Sequence, residues 1–186
     1  MKPTTLIDPV QFKLIINRLC FELIENHIDF SNTVFLGVQP RGVHLAERIQ
    51  ETLQSIVPNN KIEIGALDIT FFRDDFRRRN QPLSANSTDV PFIIEGKNVI
   101  LVDDVLYTGR TIRAALDGML AFGRPSNVEL LVLIDRRFSR ELPIEAKYIG
   151  KTVDSIDSQR VTVEWAHRDQ VNKDKVVLHS TEEHGE

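Results

Sequence analysis

The stretch VILVDDVLYTGRT, residues 99–111, sets four consecutive apolar side chains directly against two carboxylates and then a polar turn. Val99 to Val102 form the short β-branched run expected of a strand covered on both faces. After Thr108 and Gly109 comes RTIRAALDGMLAFG (110–123), a helical pattern stopped by Gly123. Strand, glycine turn and helix in that order put Asp103 and Asp104 at the carboxyl end of a strand. Ligands bind at such ends in doubly wound sheets.

The flanking sequence repeats this rhythm. DPVQFKLIINRLCFELIENHI opens with Asp8 as N-cap, Pro9 at the first helical position and Gln11 closing a capping box. Val10, Leu14, Ile15, Leu19, Leu23, Ile24 and Ile28 then recur at helical spacing. TVFLGV (33–38) reads as a buried strand, RGVHLAERIQETLQSI as a helix following Gly42, and KIEIGALDITFF (61–72) as a further strand. NVILVDDV (98–105) and NVELLVLID (127–135) complete the strands of a parallel sheet with helices on both faces. YIGKTV, RVTVEW and KVVLHS follow without helices between them and read as a small β-rich appendage or edge strands. One domain over 1–186 is expected, with 180–186 a frayed tail. Between Asp74 and Pro91 the chain is polar and charged and carries prolines. A connection of that length is either a cover over a site or a loose surface loop.

The 186 residues are 41% hydrophobic and 27% charged, with a net charge of −4. That charge supplies no bulk attraction for nucleic acid, so any such role needs a local patch. Cys20 is the single cysteine, which excludes an intrachain disulfide and a cysteine-clustered metal, and fits a reducing compartment. The start MKPTTLIDPVQF holds no apolar leader segment, and no run reaches membrane-spanning length, so a cytoplasmic protein is expected.

The chemistry of residues 103–111 is specific. Free backbone N–H groups and the dipole at the start of the helix favour an anion at Thr108–Thr111. Gly109 lets the backbone wrap closely, and the hydroxyls of Thr108 and Thr111 can donate to phosphate oxygens. Carboxylates beside a phosphate repel it unless they hold hydroxyls or a cation. Ribose hydroxyls and Mg²⁺ answer that need. No Gly-Lys-Ser/Thr is present, so this is not a Walker A loop.

These thirteen residues resemble the phosphoribosyl pyrophosphate signature of the type I phosphoribosyltransferases. The resemblance implies that Asp103 and Asp104 hold the ribose hydroxyls, and Mg²⁺ directly or through them. Val105, Leu106, Tyr107, Thr108, Gly109, Arg110 and Thr111 would form the 5′-phosphate turn. GVQPRG (37–42) is similar to the family's pyrophosphate loop, with Pro40 and Arg41 as substrate contacts and Arg41 counted with the catalytic pair. Arg73 in DITFFRDDF resembles an arginine that reaches the substrate phosphates from a flexible lid, here 73–91. The implied fold is α/β: a central, mostly parallel sheet flanked by helices, with that lid and a small β-rich hood.

Purine enzymes of this superfamily carry an aspartate where Tyr107 stands, suited to protonating a purine nitrogen. DDVLYTGRT, DITFFRDD and ELPIEAKYIGK together resemble the pyrimidine regulatory (PyrR) family, from Leu6 to about Val163. That likeness implies uracil phosphoribosyltransfer: uracil and phosphoribosyl pyrophosphate give UMP and pyrophosphate, with Mg²⁺, in a homo-oligomer. Arg136 would be a substrate contact or a surface arginine, and Val161 a hood residue over the base or a strand core residue. The alternative is a UMP-dependent, RNA-binding attenuator of pyrimidine genes, with or without residual activity. A sensor of phosphoribosyl pyrophosphate without turnover also stays open. Related proteins carry a Thr-Arg pair and a nearby histidine in the first helix; here stand Asn17, Arg18 and Phe21. Where they read Gly-His-Arg, this chain has Arg137, Phe138, Ser139 and Arg140, longer by one, and Lys151 is retained. Binding to a pyrimidine-operon leader RNA is therefore expected to be weak or altered. Arg77, Arg78 and Arg79 are assigned to the lid.

Overall fold

The apolar runs pair side by side. The computed structural model describes residues 3–74, 87–156 and 158–180. Its main sheet is built from β2 (Thr33–Val38), β3 (Glu63–Leu67), β4 (Asn98–Leu106), β5 (Asn127–Arg137) and β6 (Tyr148–Asp154). They are all parallel, in the order β3-β2-β4-β5-β6. Val99 to Val102 are paired on both sides: Val99 lies beside Val34 and Val128, and Val102 beside Gly37 and Leu131.

Helices cover both faces, which is why β4 can be apolar on successive residues. Ile100 and Val102 pack with Phe35, Leu131 and Leu133 beneath α1 (Pro9–His27) and α2 (Gly42–Ile56). Val99 and Leu101 point the other way, to Val34, Leu36 and Val132 beneath α3 (Arg110–Met119). The alternation carries into the acidic pair. Asp103 turns toward the cavity beside α3, whereas Asp104 turns toward the start of α2.

Most elements match the sequence reading, and the capping box is complete: Asp8 Oδ1 accepts from Val10 N at 2.8 Å and Gln11 N at 2.9 Å, and Gln11 returns its own bond. α3 closes in a 3-10 turn at Leu120–Phe122, and Gly123 stops it with φ +135°. Two expectations need correction, and a third divides between its two alternatives. The strand expected over 61–72 ends at Leu67, because Asp68 Oδ1 accepts from the backbone N–H (3.0 Å) and hydroxyl (2.6 Å) of Thr70. That bond draws the chain into a 3-10 turn. The first helix is apolar on most sides, so spacing alone did not pick its buried face. Phe12, Ile16, Leu19, Cys20 and Leu23 are buried, whereas Val10 is 71% exposed and Leu14 and Ile28 also face outward. The tail strands divide: YIGKTV joins the main sheet as β6, and the other two leave it.

Those two, β7 (Gln159–Glu164) and β8 (Lys175–Ser180), form an antiparallel sheet with β1 (Thr4–Ile7), in the order β1-β8-β7. β1 was not read from the sequence. The small sheet sits over the α1–α2 side, with Trp165 edge-on to Phe12 at a centroid distance of 5.5 Å. Among the described residues no helix is long and apolar enough to cross a membrane.

Candidate active site

The carboxyl end of β4, the start of α3 and the Arg73–Asp74 segment after the 3-10 turn enclose a cavity of about 630 Å³. Arg73, Asp103, Val105, Leu106, Tyr107, Thr108, Gly109, Arg110 and Thr111 all line it, so the residues that the family resemblance implied gather in one place. Gly109, the N-cap of α3, has φ +91°, a backbone geometry that favours glycine, and offers no capping side chain. The Arg110 N–H that follows makes a long 3.4 Å bond to Thr108 Oγ1, one that an anion at this helix start would replace.

The turn is held from outside. The carbonyl of Thr108 accepts from the backbone N–H groups of Glu141 (3.0 Å) and Leu142 (3.2 Å). Arg140 donates to the Tyr107 carbonyl and to Asp135. The Arg110 side chain is paired with Glu141 (2.6 Å) and Asp74, which line the same cavity.

Asp103 and Asp104 are only 7% and 8% exposed. Burial, and then the neighbouring Asp104 charge, push the Asp103 carboxyl well above the usual carboxylate range, with Arg73 opposing. Burial also raises Asp104, against the nearby Arg41 guanidinium. Two adjacent buried acids that resist ionising fit a divalent cation and hydroxyl donors, either of which would stabilise their charged forms.

Beyond β2 the Gln39–Pro40 peptide is cis, and Arg41 follows at the threshold of α2. Arg41 Nε donates to Asp104 Oδ2 at 3.0 Å; its Nη2 donates to the Val163 carbonyl and to Asp169 Oδ2 at 3.1 Å. Thus the loop after β2, the strand end of β4 and the hood meet at one guanidinium. Arg136 is buried, donates to Ser155 Oγ at 2.7 Å and to the carbonyls of Ile156 and Gln159, and lies 4.0 Å above the Tyr107 ring. Val161 points into the core beneath the hood and does not line the cavity.

The phosphoribosyl transferase domain family matches residues 5–169. The chain belongs to the phosphoribosyltransferase family. Within it, the chain is 47% identical over 164 residues to the Bifunctional protein PyrR of Streptococcus uberis, covering 88% of this chain and 91% of that one. It is 42% identical over 173 residues to the Bifunctional protein pyrR of Enterococcus faecalis, covering 93% and 96%. Membership of the PyrR proteins follows. Among solved structures, a hypoxanthine-guanine phosphoribosyltransferase from Bacillus anthracis superposes with a TM-score of 0.69 at 18% identity, over 97% of this chain and 99% of that one. The hypoxanthine phosphoribosyltransferase of Trypanosoma cruzi, in complex with the product IMP, gives 0.68 at 16%, over 94% and 93%. Those likenesses establish the fold.

The phosphoribosyltransferase reading missed the residues that brace the site. Asp169, which holds Arg41, sits in WAHRDQ, where no motif flags it. Asp74 and Glu141 clamp Arg110, and Arg140 fixes the Tyr107 carbonyl. Arg140 lies in the stretch that is one residue longer than in related proteins, the one available signal. The expected lid falls largely on 75–86, outside the described residues. From Ser87 onward the chain is tied down: Gln39 Nε2 donates to the Ser87 carbonyl at 3.1 Å, and Asp89 bridges Ala66. The tail beyond Ser180 also lies outside the described residues.

Proposed function

We propose that this PyrR protein transfers the phosphoribosyl group of phosphoribosyl pyrophosphate to uracil, and that the residues around the cavity divide the work as follows. The N–H groups and hydroxyls of Thr108–Thr111 take the 5′-phosphate. Asp103 and Asp104 take the ribose 2′- and 3′-hydroxyls, and Arg41 and Arg73 face the pyrophosphate. The C1′–oxygen bond to pyrophosphate breaks with its electron pair leaving on oxygen, and the bond from uracil N1 to C1′ forms as N1 gives its proton to water. Positive charge grows on the ribose between two buried carboxylates while negative charge grows beside two guanidinium groups. Asp103 and Asp104 would hold Mg²⁺, directly or through the ribose hydroxyls, and the ion would supply charge neutralisation for the pyrophosphate. Arg41 must loosen its bond to Asp104 for that carboxylate to meet the ribose.

The observation that carries this reading is the single cavity holding Asp103, Tyr107, the anion turn and Arg73. Tyr107 selects the base: it offers no carboxyl to a purine nitrogen, and stacking under Arg136 fixes its ring. With Mg²⁺ and phosphoribosyl pyrophosphate, uracil should release pyrophosphate at least about tenfold faster than orotate, hypoxanthine or guanine. Equal release with a purine would overturn the uracil assignment. Binding without release for any base would leave a sensor.

RNA regulation is the second reading, favoured by the word bifunctional in the relatives' names. The basic groups implied for it are engaged within the chain. Arg18 is bonded to Glu22 and to the carbonyls of Ile149 and Gly150, Arg137 is paired with Asp154 at 2.6 Å, and Lys151 donates to the Leu6 carbonyl. Two aromatic residues of that set stand open: Phe138, 84% exposed with φ +70°, and Phe21, 54% exposed. A leader-RNA titration should show weak binding that falls steeply with salt and gains little from UMP. Tight, sequence-selective, UMP-enhanced binding at physiological salt would make the regulator an equal function. The cytoplasmic location and a homo-oligomer belong to the same reading.

A further inference from the structure

We propose that His44, Glu47 and His167 form a second metal site, separate from the acidic pair and suited to a first-row transition ion. His44 Nδ1 lies 3.1 Å from His167 Nε2 and 3.4 Å from Glu47 Oε2, and the three candidate ligand atoms lie within 4.8 Å of one another. Ligands about 2.0–2.1 Å from a Zn²⁺ ion at roughly 90–110° to each other stand roughly 2.9–3.4 Å apart, so the two short separations are those of neighbours around one ion. His44 and Glu47 share a face of α2 through i,i+3 spacing, and His167 arrives from the connection between β7 and β8. Glu47 and His167 are exposed and His44 is half-buried, which leaves an entry path and room for water to complete the coordination.

The donor set decides the ion. Two imidazoles and one carboxylate, with no thiolate, suit Zn²⁺, Co²⁺ or Ni²⁺, whereas Mg²⁺ selects oxygen ligands. In the hydrogen-bonded arrangement the same atoms are poorly served. Arg168 Nη1 donates to His44 Nε2 at 2.6 Å, so the single ring hydrogen of neutral His44 sits on Nδ1. One hydrogen then faces two acceptors, His167 and Glu47. An ion at Nδ1 serves all three groups, and the ring hydrogen moves to Nε2. Arg168 must then let go of His44; it keeps its 3.2 Å bond to the Pro40 carbonyl. Arg168 therefore opposes the ion, through its charge and through that donated bond.

The test is Zn²⁺ titration of the full chain in excess Mg²⁺ by calorimetry, with Co²⁺ absorption and X-ray absorption reporting the ligands. One Zn²⁺ per chain should bind, with two imidazoles in its shell. His167→Gln and Glu47→Gln should each weaken binding at least tenfold with unchanged circular dichroism, Arg168→Ala should tighten it, and Asp103→Asn should leave it alone. The proposal is overturned if Mg²⁺ displaces the ion, if His167→Gln binds as well as the parent chain, or if Asp103→Asn removes the site.

Discussion

Replacing Asp103 and Asp104 together by asparagine should lower phosphoribosyl transfer by about a thousandfold or more while the protein still folds. Electrostatic groups aimed at developing charge contribute about a hundred- to a thousandfold each when removed singly. These two also hold the ribose in the proposed site. The Asp103→Asn change alone should make the protein more stable, by on the order of 1 kcal/mol, or about 2–4 °C in Tm. Burial disfavours the Asp103 carboxylate in the folded chain, and asparagine carries no charge to disfavour. The sign with pH follows from the raised folded value. The folded state holds the Asp103 proton more tightly than the unfolded state does, so this group adds stability as pH falls through its raised value toward the ordinary 3.8. That gain is lost again as pH rises, so the advantage of Asp103→Asn over the parent should be full at neutral pH and vanish at acid pH. Asp104→Asn gives up its bond to Arg41 and should gain less. Thermal melts across pH, read beside pyrophosphate release, check both halves. Near-normal turnover in the double variant would remove the ribose assignment. A lower Tm for Asp103→Asn would remove the account of a disfavoured buried charge.

The parts legible in the sequence are those whose determinants are local. Val99–Val102 announce a strand covered on both faces, Gly109 and the helix behind it announce an anion turn, and Asp8, Pro9 and Gln11 announce a helix start. Each needs only neighbours within a few residues. From them the sheet and its strand ends follow, and the family resemblance carried by residues 99–111 and by DITFFRDDF added the nine cavity-lining residues. What stayed hidden depends on partners far along the chain. β1 becomes a strand because β8 lies beside it, Thr4 against Leu178, and no local period marks four residues as an edge. The link from Arg41 to Asp169 crosses 128 positions, and that from Arg140 to Tyr107 depends on how the 138–144 segment folds back. The α1 helix shows the converse: its period was plain, but with apolar residues most of the way round only the packing could choose Phe12 and Ile16 over Val10 and Leu14.

Gly42→Ala should cost about 3 kcal/mol, lowering Tm by roughly 6–12 °C, and should slow transfer by about a hundredfold. Gly42 opens α2 where that helix presses on the end of β4. A methyl group there would overlap the Val102 carbonyl oxygen and come within 3.0 Å of the Asp103 Cα and 3.1 Å of the Val102 carbonyl carbon. All three neighbours are backbone in the middle strand of the sheet, so no side chain can turn aside. The helix must lift instead. Arg41 precedes Gly42 and would be carried off with it, away from Asp104 and from the loop proposed to face the pyrophosphate. The same displacement therefore reaches stability and chemistry at once. Gly96→Ala provides the contrast: its φ of +69° imposes a left-handed strain of about 1–2 kcal/mol, but nothing lies within 4 Å of the added methyl, and it is far from the cavity lining. Thermal melts and initial rates on both variants separate backbone strain from collision. If Gly42→Ala melts no lower than Gly96→Ala and keeps its rate, α2 is not seated on β4 as tightly as this geometry requires, and the coupling between helix seating and Arg41 falls with it.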